Sequence, residues 1–199
     1  MEIGCGTGLL SFRIAPCVRS LLAVDAAEGM ISALEQKLKK DDSPKNVTPL
    51  CIMLEDPEDS RLPSSEFNAS SSSRKKFDVI ISHLVLHHIP ELEPLLTTMF
   101  GCLKPGGRVA LTDFEDFGPA ARKFHPEAKM SGVERDGILR KEFAQMMRDV
   151  GFEDVSCEVG FTMPKDVERF PGEWGQQKPE SDRCESQDFP FLICLGRRP

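Results

Sequence analysis

Three of the chain's four histidines fall within His83-Leu84-Val85-Leu86-His87-His88. An imidazole titrates near neutral pH, so it can take a proton or orient an acceptor. His83 is the first candidate for that work and His87 the second. The other chemistry-bearing group opens the chain, in Met1-Glu2-Ile3-Gly4-Cys5-Gly6-Thr7-Gly8. Alternate glycines let a ligand approach bare backbone, and a helix starting behind them offers free N–H groups. Glu2 sets one carboxylate before the loop, and Asp25 sets another at the end of the next apolar run. No metal centre is expected, because no Asp, Glu or Cys adjoins the histidines in sequence and the seven cysteines show no ligand spacing.

The loop chemistry separates two ligand classes. A dinucleotide loop reads G-x-G-x-x-G, and its third glycine would fall where this chain has Leu9. Glu2 would repel a pyrophosphate but suits an ammonium group. A carboxylate at Asp25 can accept both hydroxyls of a ribose, or it can cap a helix starting near Ala27. A ligand with a ribose, an ammonium and no phosphate is S-adenosylmethionine. A nicotinamide-dependent oxidoreductase is further disfavoured because the chain has no tyrosine for a Tyr-x-x-x-Lys pair.

The elements that must position these groups alternate. Apolar runs at 21–24, 47–54, 77–82 and 108–114 read as strands, with Pro49 pointing to an edge position. Helical spacing covers 29–40, 90–103 and 139–150; the second closes at Lys104-Pro105-Gly106-Gly107 and the third at Gly151. The runs 152–159 and 189–196 are strands with no helical pattern between them, so an antiparallel ending is expected. Continuous apolar strands alternating with helices predict a mostly parallel sheet covered on both faces. Residues 1–199 read as one domain, with surface insertions near 64–76 and 164–188.

Composition narrows the partners. The chain is 40% hydrophobic with a formal net charge of -7, which suits neither phosphate neutralisation nor an anionic membrane surface. The small basic clusters at 37–40 and 74–76 read as solvated charge. Scattered cysteines within apolar runs, no basic leader and no run of about 20 apolar residues point to a cytoplasmic protein with reduced thiols.

Four stretches in order, MEIGCGTG, LLAVDAAEGMI, FDVIISHLVLHHIPE and LKPGGRVALTDF, with MMRDVGFEDV behind them, resemble the motifs of class I S-adenosylmethionine-dependent methyltransferases. The similarity is to the small-molecule type related to the ubiquinone/menaquinone-biosynthesis group. It implies a Rossmann-like doubly wound sheet of strand order 3-2-1-4-5-7-6 with strand 7 antiparallel. It also implies that Glu2, Gly4, Cys5, Gly6 and Gly8 surround the methionine part of the cofactor. Asp25, Ala26 and Met30 would meet the ribose, Asp56 and Pro57 the adenine (Glu55 or Asp59 being alternatives), and Ser82 and His83 would close under the methyl donor. Asp113, Phe114 and residues 125–138 would form the far wall, with Phe114, Phe117, Phe124 and Met130 either lining a pocket or in the core.

The expected activity is methyl transfer to a small organic acceptor. The alternative is a cofactor-binding or scaffold protein of the same fold without turnover. Because only Met1, Glu2 and Ile3 precede the loop, the first strand is expected to be short and the chain an N-terminally shortened form of a longer methyltransferase.

Overall fold

The structure, a computed structural model, describes residues 1–65, 73–175 and 185–199. Its strands are β1 (Glu2–Ile3), β2 (Leu21–Asp25), β3 (Val47–Cys51), β4 (Phe77–His83), β5 (Leu103–Phe114), β6 (Glu153–Val167) and β7 (Glu185–Arg197). The α-helices are α1 (Leu9–Ile14), α2 (Glu28–Leu38), α3 (Leu92–Cys102) and α4 (Arg140–Val150). The sheet runs β3-β2-β1-β4-β5-β7-β6, as expected. β1 through β5 pair in parallel, and β7 lies antiparallel between β5 and β6. Pro49 sits on the edge strand β3, where its missing N–H is tolerated.

β1 is short but central: Glu2 and Ile3 pair with Ala23 and Val24 on one side and with Ile81 and Ser82 on the other. Side chains alternate across the sheet. Thus Leu21 and Ala23 pack with Ile31 and Leu34 of α2, while Leu22 and Val24 join the opposite core of Leu96, Met99, Val109, Leu111 and Phe143. A third cluster, Phe114, Phe124, Val167, Phe189 and Phe191, lies where the β6–β7 hairpin passes the end of β5. Phe114 and Phe124 stack with centroids 4.0 Å apart, so both are core residues, while Phe117 stays exposed.

Several sequence readings need correction. The turn expected at 104–107 lies inside β5, where pairing jumps from Phe77↔Leu103 to Val79↔Arg108. The insertion at 164–188 is narrower than read, because 164–167 and 185–188 extend the hairpin strands and pair with each other. The neck of the 64–76 insertion is paired too, with Ser64 bridged to Arg74; its remainder at 66–72 and the segment 176–184 lie outside the described residues. The basic clusters are not merely solvated. The Lys76 ammonium pairs with Glu58, and the Arg74 N–H donates to the same carboxylate at 2.9 Å.

The largest correction concerns Asp56 and Pro57. Among the described residues the connection from β3 to β4 holds no α-helix. It buries Ile52 and Leu54 and runs down the face of the sheet against α3. The Thr98 hydroxyl donates to the Glu55 carbonyl at 2.9 Å, and Lys76, one residue before β4, donates to the Pro57 carbonyl at 3.2 Å. Both residues therefore sit by the start of β4, whereas the glycine loop sits by its end. Six residues of strand from Lys76 to Ser82 span roughly 20 Å. Neither Asp56 nor Pro57, nor their alternatives Glu55 and Asp59, stands beside the loop.

The Pro57 ring occupies the space that a side chain at Gly101 would need: a Cβ there would lie 2.6 Å from Pro57 Cγ. Gly101→Ala should therefore lower the urea midpoint at unchanged m. Overpacking costs about 1–3 kcal/mol, against a helix-propensity gain of about 1 kcal/mol. A raised midpoint would show that this segment does not pack on α3.

Candidate active site at the glycine loop

The three loop glycines all have positive φ, at 71°, 53° and 84° for Gly4, Gly6 and Gly8. Two make room for packing. A Cβ on Gly4 would stand 2.2 Å from Val85 Cγ2, and one on Gly8 would stand 2.4 Å from Leu34 Cδ1. At Gly6 a Cβ would meet nothing within 4 Å, so this glycine presents an open backbone face. Val85 reaches Gly4 because Leu84 turns the chain with φ 57°, a conformation uncommon outside glycine.

The loop is tied down from three sides. The Gly4 and Cys5 N–H groups both donate to the Val24 carbonyl, at 2.8 and 3.0 Å. Lys37 of α2, read from sequence as solvated charge, donates to the Thr7 carbonyl at 2.7 Å and to its hydroxyl at 2.9 Å. Asp25 accepts the Gly6 N–H on Oδ2 at 2.7 Å and the Ala27 N–H on Oδ1 at 2.9 Å. Asp25 thus bonds the N–H of Ala27, the residue just before α2, and the loop at Gly6 at once. A carboxylate offers about four lone-pair positions, so two remain for a ligand.

The segments that follow the loop, β2 and β3 carry exposed apolar side chains. Leu9 is 77%, Met30 45% and Met53 59% exposed, and Ala26 is exposed beside them. Met53 was not among the residues singled out from the sequence. Its signal is register: Cys51 pairs with Asp25, and the Ile52 N–H donates to the Asp25 carbonyl at 2.9 Å, so the ends of β2 and β3 lie level.

Other expected site residues are committed to protein partners. Glu2 is buried and accepts the Ser11 hydroxyl at 2.5 Å; burial raises its carboxyl above the usual range, with the Ser11 bond opposing. The Cys5 side chain packs into the α2-side core, and burial first, then the Asp25 and Glu2 charges, push its thiol up to about 12. Ser82 is buried with its hydroxyl donating to the Ile3 carbonyl at 2.9 Å, tying β4 to β1.

The histidines divide. His83 ends β4 half-buried, with Nδ1 2.5 Å from the Thr112 hydroxyl, and burial lowers its pKa against the opposing Asp113 charge. His87 is 1% exposed and its Nδ1 lies 2.8 Å from Asp113 Oδ1. His125, distant in sequence, joins His87 and His88, with ring centroids 5.0 and 5.8 Å from theirs. Its pKa falls to about 4 through burial, then through the charges of His87, Lys165 and His88. The expectation of no metal centre rested on sequence neighbours, and the fold supplies both a third histidine and a carboxylate that sequence adjacency lacked. A separate cavity of about 140 Å³, among Leu92, Arg135, Ile138 and Phe143, contains none of these groups.

Among the described residues no helix is long and apolar enough to cross a membrane. The chain is 22% identical over 152 residues to an uncharacterized methyltransferase of Schizosaccharomyces pombe, covering 75% of this chain. It spans only about half (51%) of that relative's length. Among solved structures it is similar to the YcgJ protein of Bacillus subtilis, at TM-score 0.69 and 15% identity, covering 99% of this chain and 90% of that one. It is also similar to phosphoethanolamine N-methyltransferase 2 of Haemonchus contortus, solved with S-adenosyl-L-methionine, at TM-score 0.62 and 15% identity, covering 100% and 48%. The fold is therefore the Rossmann-like methyltransferase fold. The model of the methyltransferase domain family matches residues 1–109, which include the glycine loop, Asp25 and His83, and the chain belongs to that family.

Proposed function

We propose that the chain binds S-adenosylmethionine at the glycine loop and transfers its methyl group to a small organic acceptor. The observation that carries this reading is the pairing of Asp25, with two lone pairs to spare, and the open backbone of Gly6. The exposed Leu9, Met30 and Met53 supply apolar cover for an adenine and ribose, in place of Asp56 and Pro57. Glu2, Gly4 and Gly8 shape the loop from behind, and Cys5 and Ser82 hold it by packing and by the bond to Ile3. The relationship to the small-molecule ubiquinone/menaquinone group belongs to the same proposal.

The cofactor, when bound, supplies a methyl group on a sulfonium leaving group. What remains for the chain is to align a nucleophile and exclude water, which is worth about 7–11 kcal/mol. His83 is the residue to orient the acceptor or take its proton. It ends β4, the strand next to β1 and its loop, and its lowered pKa keeps it neutral and basic at pH 7. His87 is less suited, being buried with one nitrogen on Asp113. A scaffold without turnover shares the cofactor site, and a turnover assay separates the two.

Calorimetry with S-adenosylhomocysteine and with NAD tests the cofactor. Only the former should bind, and Asp25→Ala should weaken it by about 1–3 kcal/mol, the cost of removing a charged hydrogen-bond acceptor. Binding of NAD alone, or unchanged affinity in a folded Asp25→Ala variant, would overturn the assignment.

His83→Ala should lower kcat well beyond any change in cofactor Kd. In the parent chain kcat/KM should fall on the acid side as His83 protonates, below the ordinary imidazole value of about 6.5, and this limb should vanish in the variant. Equal, small effects of His83→Ala on kcat and Kd would leave His83 a packing residue.

A further inference from the structure

We propose that His87, His88 and His125 bind one divalent first-row transition-metal ion through their Nε2 atoms, with Asp113 orienting His87 from behind. Ligand atoms of the three rings, one from each, lie within 4.8 Å of one another. Around a zinc bound at about 2.0–2.1 Å, tetrahedral nitrogens stand about 3.3 Å apart, so small ring rotations close the set.

The tautomers favour a cation over other ligands. His87 faces a carboxylate with Nδ1, at 2.8 and 3.0 Å from the two Asp113 oxygens. His88 faces the Gly132 carbonyl with Nδ1 at 2.7 Å. Both partners only accept, so both Nδ1 atoms carry hydrogen, and Nε2 is the nitrogen of each ring that can offer a lone pair to a metal ion. The Nε2 atoms of His87 and His125 are buried and have no hydrogen-bond partner in the protein. Buried ring nitrogens left without a partner cost free energy, and a bound cation would satisfy them together.

The surroundings match a ligand shell. Metal-bound histidines hand their second nitrogen to a carboxylate or a backbone carbonyl, and here Asp113 and Gly132 are those groups. Asp113 is itself buried and held, its Oδ1 accepting the Phe114 N–H at 2.9 Å and its Oδ2 the His87 N–H at 3.2 Å. The nearby Lys165 ammonium is engaged elsewhere, donating to the Phe124 carbonyl and lying 4.0 Å over the Phe124 ring. An all-imidazole set suits zinc, copper, nickel or iron rather than magnesium or calcium. His88 is exposed, so a fourth position remains open to water. Such an ion would clip the segment bearing His125 and Gly132 onto the end of β4. The proposal depends on no step of methyl transfer.

The test is a Co²⁺ and Zn²⁺ titration of tag-free, chelator-treated full chain, read by visible Co²⁺ absorption and by calorimetry. One ion per chain is expected, with an absorption spectrum of four- or five-coordinate cobalt and a raised Tm. His88→Ala and His125→Ala should each weaken binding at least roughly 10-fold, and Asp113→Asn roughly 10- to 100-fold. His88 is exposed, so His88→Ala keeps the test decisive if His125→Ala unfolds. No stoichiometric binding by the parent chain, or undiminished binding in a folded His88→Ala variant, would overturn the proposal.

Discussion

One carboxylate holds the upper end of the sheet together. Asp25 ends β2 and accepts one N–H from the glycine loop and one from the start of α2. The loop can be bare at Gly6 only because something outside it fixes its path. Val24 and Lys37 fix the same path from beside and below. The left-handed glycines then follow: Gly4 admits Val85 and Gly8 admits Leu34, so the strand, the loop and two neighbouring elements lock into one arrangement. A site assembled this way is rigid before a ligand arrives, which is the condition for positioning to lower a barrier.

The lower end of the sheet is held differently. Charge and proline packing act there, with Lys76 on Glu58 and Pro57 against Gly101. This sets a physical division. The ends of β1, β2 and β4 bear open backbone, exposed apolar side chains and a carboxylate with free lone pairs. By the start of β4, Lys76 is paired with Glu58 and bonded to the Pro57 carbonyl.

The strand order and the places of the loop and Asp25 at neighbouring strand ends were legible because local sequence determines them: glycine spacing, apolar runs and a carboxylate at a strand end. Asp56 misled because its place depends on whether the chain turns or descends after β3, and burial of Ile52 and Leu54 decides that. Ser82 and Cys5 sit where the motif predicts, but their side chains point to Ile3 and to the core. The histidine cluster was hidden for another reason. Its third ring and its carboxylate come from residues 125 and 113, brought together by the aromatic packing of Phe114 on Phe124. Long-range juxtaposition of that kind leaves no trace in local spacing.

The central claim is that the ligand end of the sheet is the Asp25–Gly6 end. Backbone amide NMR of the full chain during titration with S-adenosylhomocysteine tests it most directly. The account predicts the largest shift changes at Gly4 to Gly8, at Asp25 to Met30 and at Met53. Changes concentrated instead at residues 55–59 and the last turn of α3, or no change at saturating ligand, would contradict it.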